Sequence, residues 1–386
     1  MTDRVMVAPD KFKGSLTAAD VAARVAGGLA RSGFAGEVTE LPVADGGDGT
    51  VASAVSAGFR RVELGVRGPT GKPVNASFAL QDGTAIIEAA QACGLSLLPP
   101  GELAPLTATS RGVGELIQAA IRMGARRIVL GVGGTATTDG GAGLIQALGA
   151  RLMDDATLQL PPGGAALARL DQLDLSRLMD LTGVEFLLAS DVDNPLLGPS
   201  GAAAVYAPQK GASPADVPLL EAGLERWAEV AEAAAGARTP RTVDGIANAI
   251  RNAPGAGAAG GIGFAALLFL GARMQPGIGL LLEMLSFGRH LDDARLVITG
   301  EGSLDEQTLH GKAPAGVARA AAAHDPAVPV VAVAGRCTLS TAQLREAGIS
   351  AAYPLTDLEP DLDRSIANAG PLVERAAERI AADWLR

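Results

Sequence analysis

The chain has 386 residues, 48% of them hydrophobic and 19% charged, with a formal net charge of -10, a globular composition long enough to bury two cores. The acidic balance excludes a phosphate-backbone binder, because nucleic-acid affinity rests on Lys and Arg neutralising phosphates, and it points to a small-molecule partner. Cys93 and Cys337 form neither a metal-ligand cluster nor a disulfide framework, which fits a reducing, cytoplasmic setting.

The N-terminus opens on a strand and lacks the apolar core of a signal peptide. Residues 5–8 read as that strand, residues 9–15 as the loop at its carboxyl end, and Thr17-Ala-Ala-Asp20 as a capping box for a helix running to about Arg31. Open α/β sheets bind ligands at the carboxyl ends of their strands, so Asp10, Lys13 and Ser15 are candidates for contacts to a small acid or a phosphate. Residues 37–43 form a second strand before the loop Ala44-Asp-Gly-Gly-Asp-Gly-Thr50 and a helix over 51–57. There Asp45 and Asp48, beside Gly46 and Gly47, suit Mg²⁺ or substrate hydroxyls, or make a simple Asp/Gly turn.

After a strand at 61–66 the texture changes. Residues 74–80 and 84–88, joined by Gln81-Asp-Gly83, read as a hairpin, with which a doubly wound sheet rarely begins; a second domain is expected to start near Gly68. Ser110 and Arg111 open a helix through Ile121 and make a carboxylate or phosphate clamp, although Ser is also simply a good N-cap. Next, residues 126–149 read as buried strand, glycine loop and helix. In that loop Gly133, Gly134, Gly140 and Gly141 allow a polyphosphate to approach backbone N–H groups, and Thr135 and Thr138 add hydroxyls. The same stretch contains Gly131-Val-Gly-Gly-Thr-Ala136, a dinucleotide-type G-x-G-x-x-A with Asp154 or Asp155 as ribose partner, which keeps an NAD(P)-dependent hydroxy-acid dehydrogenase open. A phosphometabolite-binding module without catalysis is a further alternative.

Residues 184–189 are a strand ending in Ser190-Asp-Val-Asp-Asn-Pro195, where Asp191 precedes a rigid Asn-Pro turn. Lys210 sits in another tight loop, and residues 214–234 form an amphipathic scaffold helix. The literal G-x-G-x-x-G at 255–260 follows a segment, 246–250, that reads as helix instead of strand, so Gly255 and Gly257 belong to a glycine nest that is a second anion site or a packing seam. The uncharged run 253–272 has membrane-spanning length, yet its Gly/Ala-rich first half argues against a membrane role. Strands follow at 295–299, 328–334 and 349–353, and a helix over 362–385 closes the chain. Glu301 and Asp305 cap the first of these strands, and His310 alone among the histidines lies in a loop near a candidate site. The lysines are Lys11, Lys13, Lys72, Lys210 and Lys312, mostly in Gly/Pro-rich loops where a compact ammonium serves phosphate.

Taken in order, Ala8-Pro-Asp-Lys-Phe-Lys-Gly-Ser-Leu16, Pro42-Val-Ala-Asp-Gly-Gly-Asp-Gly-Thr50, Thr109-Ser-Arg-Gly-Val-Gly-Glu115, Gly133-Gly-Thr-Ala-Thr-Thr-Asp-Gly-Gly-Ala-Gly143, Asp191-Val-Asp-Asn-Pro-Leu196, Pro208-Gln-Lys-Gly-Ala212, Pro254-Gly-Ala-Gly-Ala-Ala-Gly-Gly261 and Val297-Ile-Thr-Gly-Glu-Gly-Ser-Leu-Asp305 resemble the bacterial glycerate kinases. The resemblance spans essentially the whole chain. It implies ATP-dependent phosphorylation of D-glycerate, usually to 2-phosphoglycerate, in an α/β protein whose flavodoxin-like parallel-sheet domain is discontinuous and carries an inserted mixed α/β domain. With the hairpin near Gly68 and the return of β-branched strands at Arg295, this gives residues 1–68 and 287–386 for the first domain and 69–286 for the second.

On that footing Asp191 takes the glycerate proton, with Lys13 as a second catalytic candidate. Asp10, Ser15, Asp45, Gly46, Gly47, Asp48, Ser110 and Arg111 hold substrate; Gly133, Gly134, Thr135, Thr138, Gly140, Gly141, Lys210, Gly255 and Gly257 hold ATP; and Asp45 or Glu301 holds Mg²⁺. Lys11 stands where the family often has Ser and gets no role in chemistry. The expected partners are D-glycerate and ATP, with no nucleic acid and no membrane. A homodimer is compatible with the sequence, and closure of the two domains over substrate is expected because phosphoryl transfer must keep water out. Neither a Walker A motif nor a protein-kinase signature set is present.

Overall fold

The computed structural model describes residues 3–236, 250–309 and 311–386. Its strands are, in chain order, β1 (Arg4–Pro9), β2 (Glu37–Glu40), β3 (Arg60–Arg67), β4 (Pro73–Gln81), β5 (Thr84–Glu88), β6 (Arg127–Gly131), β7 (Arg151–Met153), β8 (Gln172–Asp174), β9 (Glu185–Ala189), β10 (Arg273–Gln275), β11 (Ala294–Leu304), β12 (Val330–Cys337) and β13 (Ala351–Pro354). They fall into two compact units, one of Met1–Asp45, Ala52–Gly58 and Pro276–Arg386, the other of Gly46–Val51 and Phe59–Gln275.

The first unit holds a five-stranded sheet in the order β2-β1-β11-β12-β13, with every neighbouring pair parallel. Counted within that sheet the order is 2-1-3-4-5, the flavodoxin-like arrangement. Both faces are covered, so its central strands are apolar on both sides. Val5, Val7, Leu296, Ile298, Val331 and Val333 pack on the helices Ala18–Arg31 and Ala369–Trp384, while Met6, Ala8, Val297, Val330 and Ala332 face the helices Gly277–Met284 and Ala313–Ala322. The expected capping box is present: the Thr17 side chain accepts from the Asp20 N–H, and the Asp20 carboxylate accepts from the Thr17 N–H. Gly28 lets the last helix approach closely, since a Cβ there would lie 2.7 Å from that of Ala377. The helix expected at 362–385 is two helices, Leu362–Ala367 and Ala369–Trp384. At the junction the Asn368 side chain donates back to the Arg364 carbonyl at 2.9 Å, the local side-chain bonding by which Asn competes with a continuous helix.

The second unit is built on a six-stranded sheet, β10-β9-β6-β5-β4-β3. Its β3–β4 and β4–β5 pairs are antiparallel and the rest parallel. The β4–β5 hairpin turns on Asp82 and Gly83, both at positive φ, which is the Asp-Gly turn chemistry its sequence advertises. The unit takes in Arg60–Arg67, ahead of the boundary expected at 68, because β3 pairs with β4 along eight residues. It ends at Gln275, ahead of 286, since the helices Gly277–Met284 and Phe287–Leu291 pack in the core of the first unit. The small antiparallel pair β7–β8 has no strand-like run in the sequence. Residues 246–249 of the helix read at 246–250, and His310, lie outside the described residues.

Candidate active site

Four sequence-distant loops meet in the second unit around the turn after β6. Gly131, its last residue, pairs with Glu88 at the end of β5. A Cβ on Gly133 would come within 2.8 Å of the Gly47 Cα, so the 46–51 loop and the 133–143 loop stack backbone on backbone. Glu88, 1% exposed, fastens the first of these: its Oε1 accepts the Val51 N–H at 2.5 Å, and its Oε2 accepts from the Gln91 amide at 3.3 Å. Sequence reading missed Glu88. The available signal was an acid ending an otherwise apolar strand.

The glycine loop divides into two halves. Gly133 and Gly134 form its accessible crest, whereas residues 135–140 are buried. In the buried half Asp139 is wrapped by its own chain: it accepts from the Ser110 N–H (2.8 Å), the Ser110 hydroxyl (2.9 Å), and the N–H groups of Gly141 (3.1 Å) and Gly143 (3.2 Å). The Ser110 hydroxyl in turn accepts the Leu144 N–H at 3.0 Å. Gly140 donates to the Gly260 carbonyl at 2.9 Å. The backbone donors at 140, 141, 143 and 144 therefore already have acceptors, and the following helix, Ala142–Ala147, is only six residues long. Burial pushes the Asp139 carboxyl above its ordinary range, against the pull of its four donors.

Ser110 is thus fully buried and bonded to Asp139, while Arg111, partly exposed, lies 3.5 Å from Glu115. The 254–261 stretch packs on the same loop. Ala259, Gly260 and Gly261 adopt left-handed conformations inside the helix Ala258–Phe269, a Cβ on Gly261 would meet the Gly140 Cα at 2.6 Å, and Gly257 donates to the Asn194 carbonyl at 2.9 Å. These contacts are those of a packing seam. Gly255, at positive φ, lies against Met274 and the Val192 carbonyl.

Lys210 ends the 3-10 turn Pro208–Lys210 and is 3% exposed. Its Nζ donates to the Thr137 carbonyl at 2.6 Å and to the Thr135 hydroxyl at 3.4 Å. Burial pulls its ammonium down to about 8 and pushes the neighbouring Cys93 thiol up to about 12. Thr138, also buried, has a hydroxyl with no hydrogen-bond partner among the described residues. At the end of β9, Asp191 is exposed. The turn after it is braced by Asn194, which accepts from the Tyr206 hydroxyl and donates to the Ser200 carbonyl at 2.8 Å.

The first unit has its own cluster, where the sheet order reverses between β1 and β11. Asp10, 8% exposed, follows β1 and donates its N–H to the Gly300 carbonyl at 2.8 Å. Glu301, 6% exposed, lies on β11 and accepts from the buried Thr308 hydroxyl. Burial lifts the Glu301 carboxyl to about 7, with the charge of Asp10 adding to the lift and Thr308 and Lys312 opposing it. Lys312 is 3.8 Å from Asp305. Lys13 and Ser15 are exposed on the loop after Asp10, and the Ser15 hydroxyl donates to the Phe12 carbonyl at 3.1 Å. Asp45, the last residue of the first unit's opening segment, is half-buried; Asp48, on the 46–51 loop of the second unit, is exposed.

The model of the glycerate kinase family matches residues 5–385. The chain belongs to the glycerate kinase family. It is 44% identical over 384 residues to a glycerate kinase of Bacillus subtilis and 41% identical over 384 residues to a glycerate 2-kinase of Escherichia coli, in both cases covering 98% of this chain and 97% of the relative. A solved structure of a glycerate kinase 2 candidate from Salmonella typhimurium LT2 is similar throughout, with a TM-score of 0.81 at 38% identity and 100% of each chain covered. Membership of a glycerate kinase family removes the dehydrogenase and binding-module alternatives. In the structure Asp154 turns its carboxylate onto the N–H groups of Ala156 (3.1 Å) and Leu158 (2.9 Å), a local turn. No helix among the described residues is long and apolar enough to cross a membrane.

Proposed function

We propose that the protein transfers the terminal phosphoryl group of ATP to a hydroxyl of D-glycerate. The observation that carries this reading is the near full-length likeness to glycerate kinases. The stacked glycine loops of the second unit support it, because phosphoryl transfer depends on positioning, charge stabilisation and one proton acceptor more than on covalent chemistry. The Gly133–Gly134 crest is where a phosphate can reach backbone, with Thr135 behind it; Gly140, Gly141 and Gly257 shape that loop through their packing. Asp191, exposed at the carboxyl end of β9 and followed by a braced turn, accepts the hydroxyl proton.

Asp10, Lys13 and Ser15 are assigned to glycerate in the first unit, where a lysine answers a carboxylate and Asp10 a hydroxyl. Gly46, Gly47, Asp48 and Arg111 carry the same assignment in the second. Mg²⁺ is usually held by one or two carboxylates plus substrate phosphates. Glu301 beside Asp10 suits such a hard cation, and Asp45 is the other candidate. When bound, Mg²⁺ neutralises charge on the phosphates. The name of the Escherichia coli relative favours the 2-hydroxyl, and dependence on ATP places the work in the cytoplasm. A coupled ADP assay with D-glycerate tests the reaction and phosphorus NMR of the product the regiochemistry. Absence of ADP formation at millimolar D-glycerate and Mg²⁺-ATP would sink the proposal.

A further inference from the structure

We infer that Lys210 is a positioning residue whose buried ammonium fixes the Thr135 hydroxyl and the Thr137 carbonyl, and so the shape of the phosphate loop, without itself touching nucleotide. The inference rests on the reading of Gly133–Thr138 as the ATP-phosphate site. A lysine that meets phosphate directly must present its ammonium to the ligand, and this one does not. It is 3% exposed, and its Nζ is directed at two atoms of the loop's buried half, 2.6 Å and 3.4 Å away. Gly211, at φ +96, ends the turn directly after it.

Segment 135–139 is therefore gripped at both ends. Lys210 holds Thr135 and Thr137, and the Asp139 carboxylate, inside its four donors, holds the other end to Ser110, Gly141 and Gly143. The accessible crest, Gly133 and Gly134, joins this gripped segment directly. A buried cation below the crest also favours an anion above it, in a medium where charge is poorly screened. The titratable groups facing Lys210 are Cys93 and Asp139, both buried. Burial draws the ammonium down to about 8, so its charge is present at neutral pH and lost on mild alkalinisation, while Cys93, pushed up to about 12, stays a neutral thiol throughout.

The test uses the full-length enzyme and the variants Lys210→Met, Thr135→Val and the double mutant, with kcat and KM for ATP measured from pH 6.5 to 9.5. Lys210→Met should raise KM for ATP about tenfold, the scale of one charge-assisted hydrogen bond, and change kcat less. Wild type should show KM for ATP rising through pH 8, and the variant should lose that limb. Because Lys210 acts through the loop, Thr135 included, the losses in the double mutant should be clearly less than additive. Additive losses would mean that Lys210 reaches the phosphates on its own, and an alkaline limb that survives in Lys210→Met would overturn the inference. Should Lys210→Met fail to fold, Lys210→Gln, which keeps a donor on a side chain one atom shorter but no charge, is read in the same way. ATP binding by calorimetry at pH 6.5 and 9.5 decides the matter even if D-glycerate proves not to be the acceptor, so failure of the kinase reading and failure of this inference remain distinguishable.

Discussion

The two units place polar groups at strand ends in opposite ways. In the second, the conspicuous glycine loop is mostly satisfied from within the protein: Asp139, Ser110 and Gly260 take up the N–H groups of 140, 141, 143 and 144, leaving the short crest at Gly133 and Gly134 accessible. In the first, the strand ends carry the acids Asp10 and Glu301, and burial, with the charge of Asp10 adding to it, leaves Glu301 reluctant to ionise. A glycine-rich motif thus reads first as backbone meeting backbone and only at its crest as a ligand site, whereas a buried acid pair marks a site by the discomfort of its charges.

The sharpest break in this picture comes from Asp191, exposed just past the carboxyl end of β9. Asp191→Asn preserves shape and removes basicity, so kcat should fall by about 10²–10⁴, with ATP binding by calorimetry little changed. Near-normal turnover would remove Asp191 from the mechanism. Next is the contrast inside the loop. Gly140 at φ +62 lies under Trp227, whose indole N–H donates to the Gly140 carbonyl at 2.9 Å, and a Cβ there would meet the indole Nε1 at 2.8 Å. Gly140→Ala should therefore cost about 3 kcal/mol in urea unfolding, combining overpacking with a left-handed alanine. Gly134, at φ +72 with its nearest neighbour at 3.6 Å, should lose only about 1–2 kcal/mol as Ala but bind ATP more weakly. Equal stability losses for the two would erase the distinction between halves.

The acid pair is tested by pH. Glu301 has a folded value of about 7 against an ordinary 4.5, so the folded state binds the extra proton and stability falls as pH rises across that interval. Glu301→Gln, kept neutral, should lack this fall. Measured without metal, the variant should gain on wild type by up to ~3 kcal/mol between pH 4.5 and 7, at about 1.4 kcal/mol per unit. Parallel curves would show that Glu301 is at ease. Smallest of all should be Glu374→Ala, which removes the exposed bridges to Arg24 and Arg31, each at 2.7 Å; exposed pairs contribute less than about 1 kcal/mol, and a larger loss in thermal unfolding would promote that surface to part of the scaffold.

Much of the fold was legible because apolar alternation and punctuation agree locally. The Thr17 capping box, the Asp82-Gly83 turn and the apolar runs before Asp10, Asp191 and Glu301 each announce themselves within a few residues. What stayed hidden is what depends on distant partners. Nothing near Ser110 in sequence reveals that it serves Asp139, 29 residues away, so its N-cap chemistry reads equally well as a substrate clamp. Lys210 looks like a loop lysine until the chain from 135 to 137 closes over it. The pair β7–β8 and the short helices of the first unit have too few residues for periodicity to show, and Asn368 breaks a helix whose apolar pattern continues on either side.

The parallel sheet of the first unit also sets a timetable for synthesis. The partner of β1 on one side, β2, ends at Glu40, but the partner on the other, β11, begins at Ala294. Roughly 250 residues separate them, which at about 5–20 residues per second is on the order of 10–50 s of translation. Two short strands do not hold together in water by themselves. The nascent N-terminal strands, Val5 to Ala8 among them, must therefore wait as exposed apolar chain while the second unit, complete at Gln275, folds ahead of them on the ribosome. That interval is when a chaperone has most to shield.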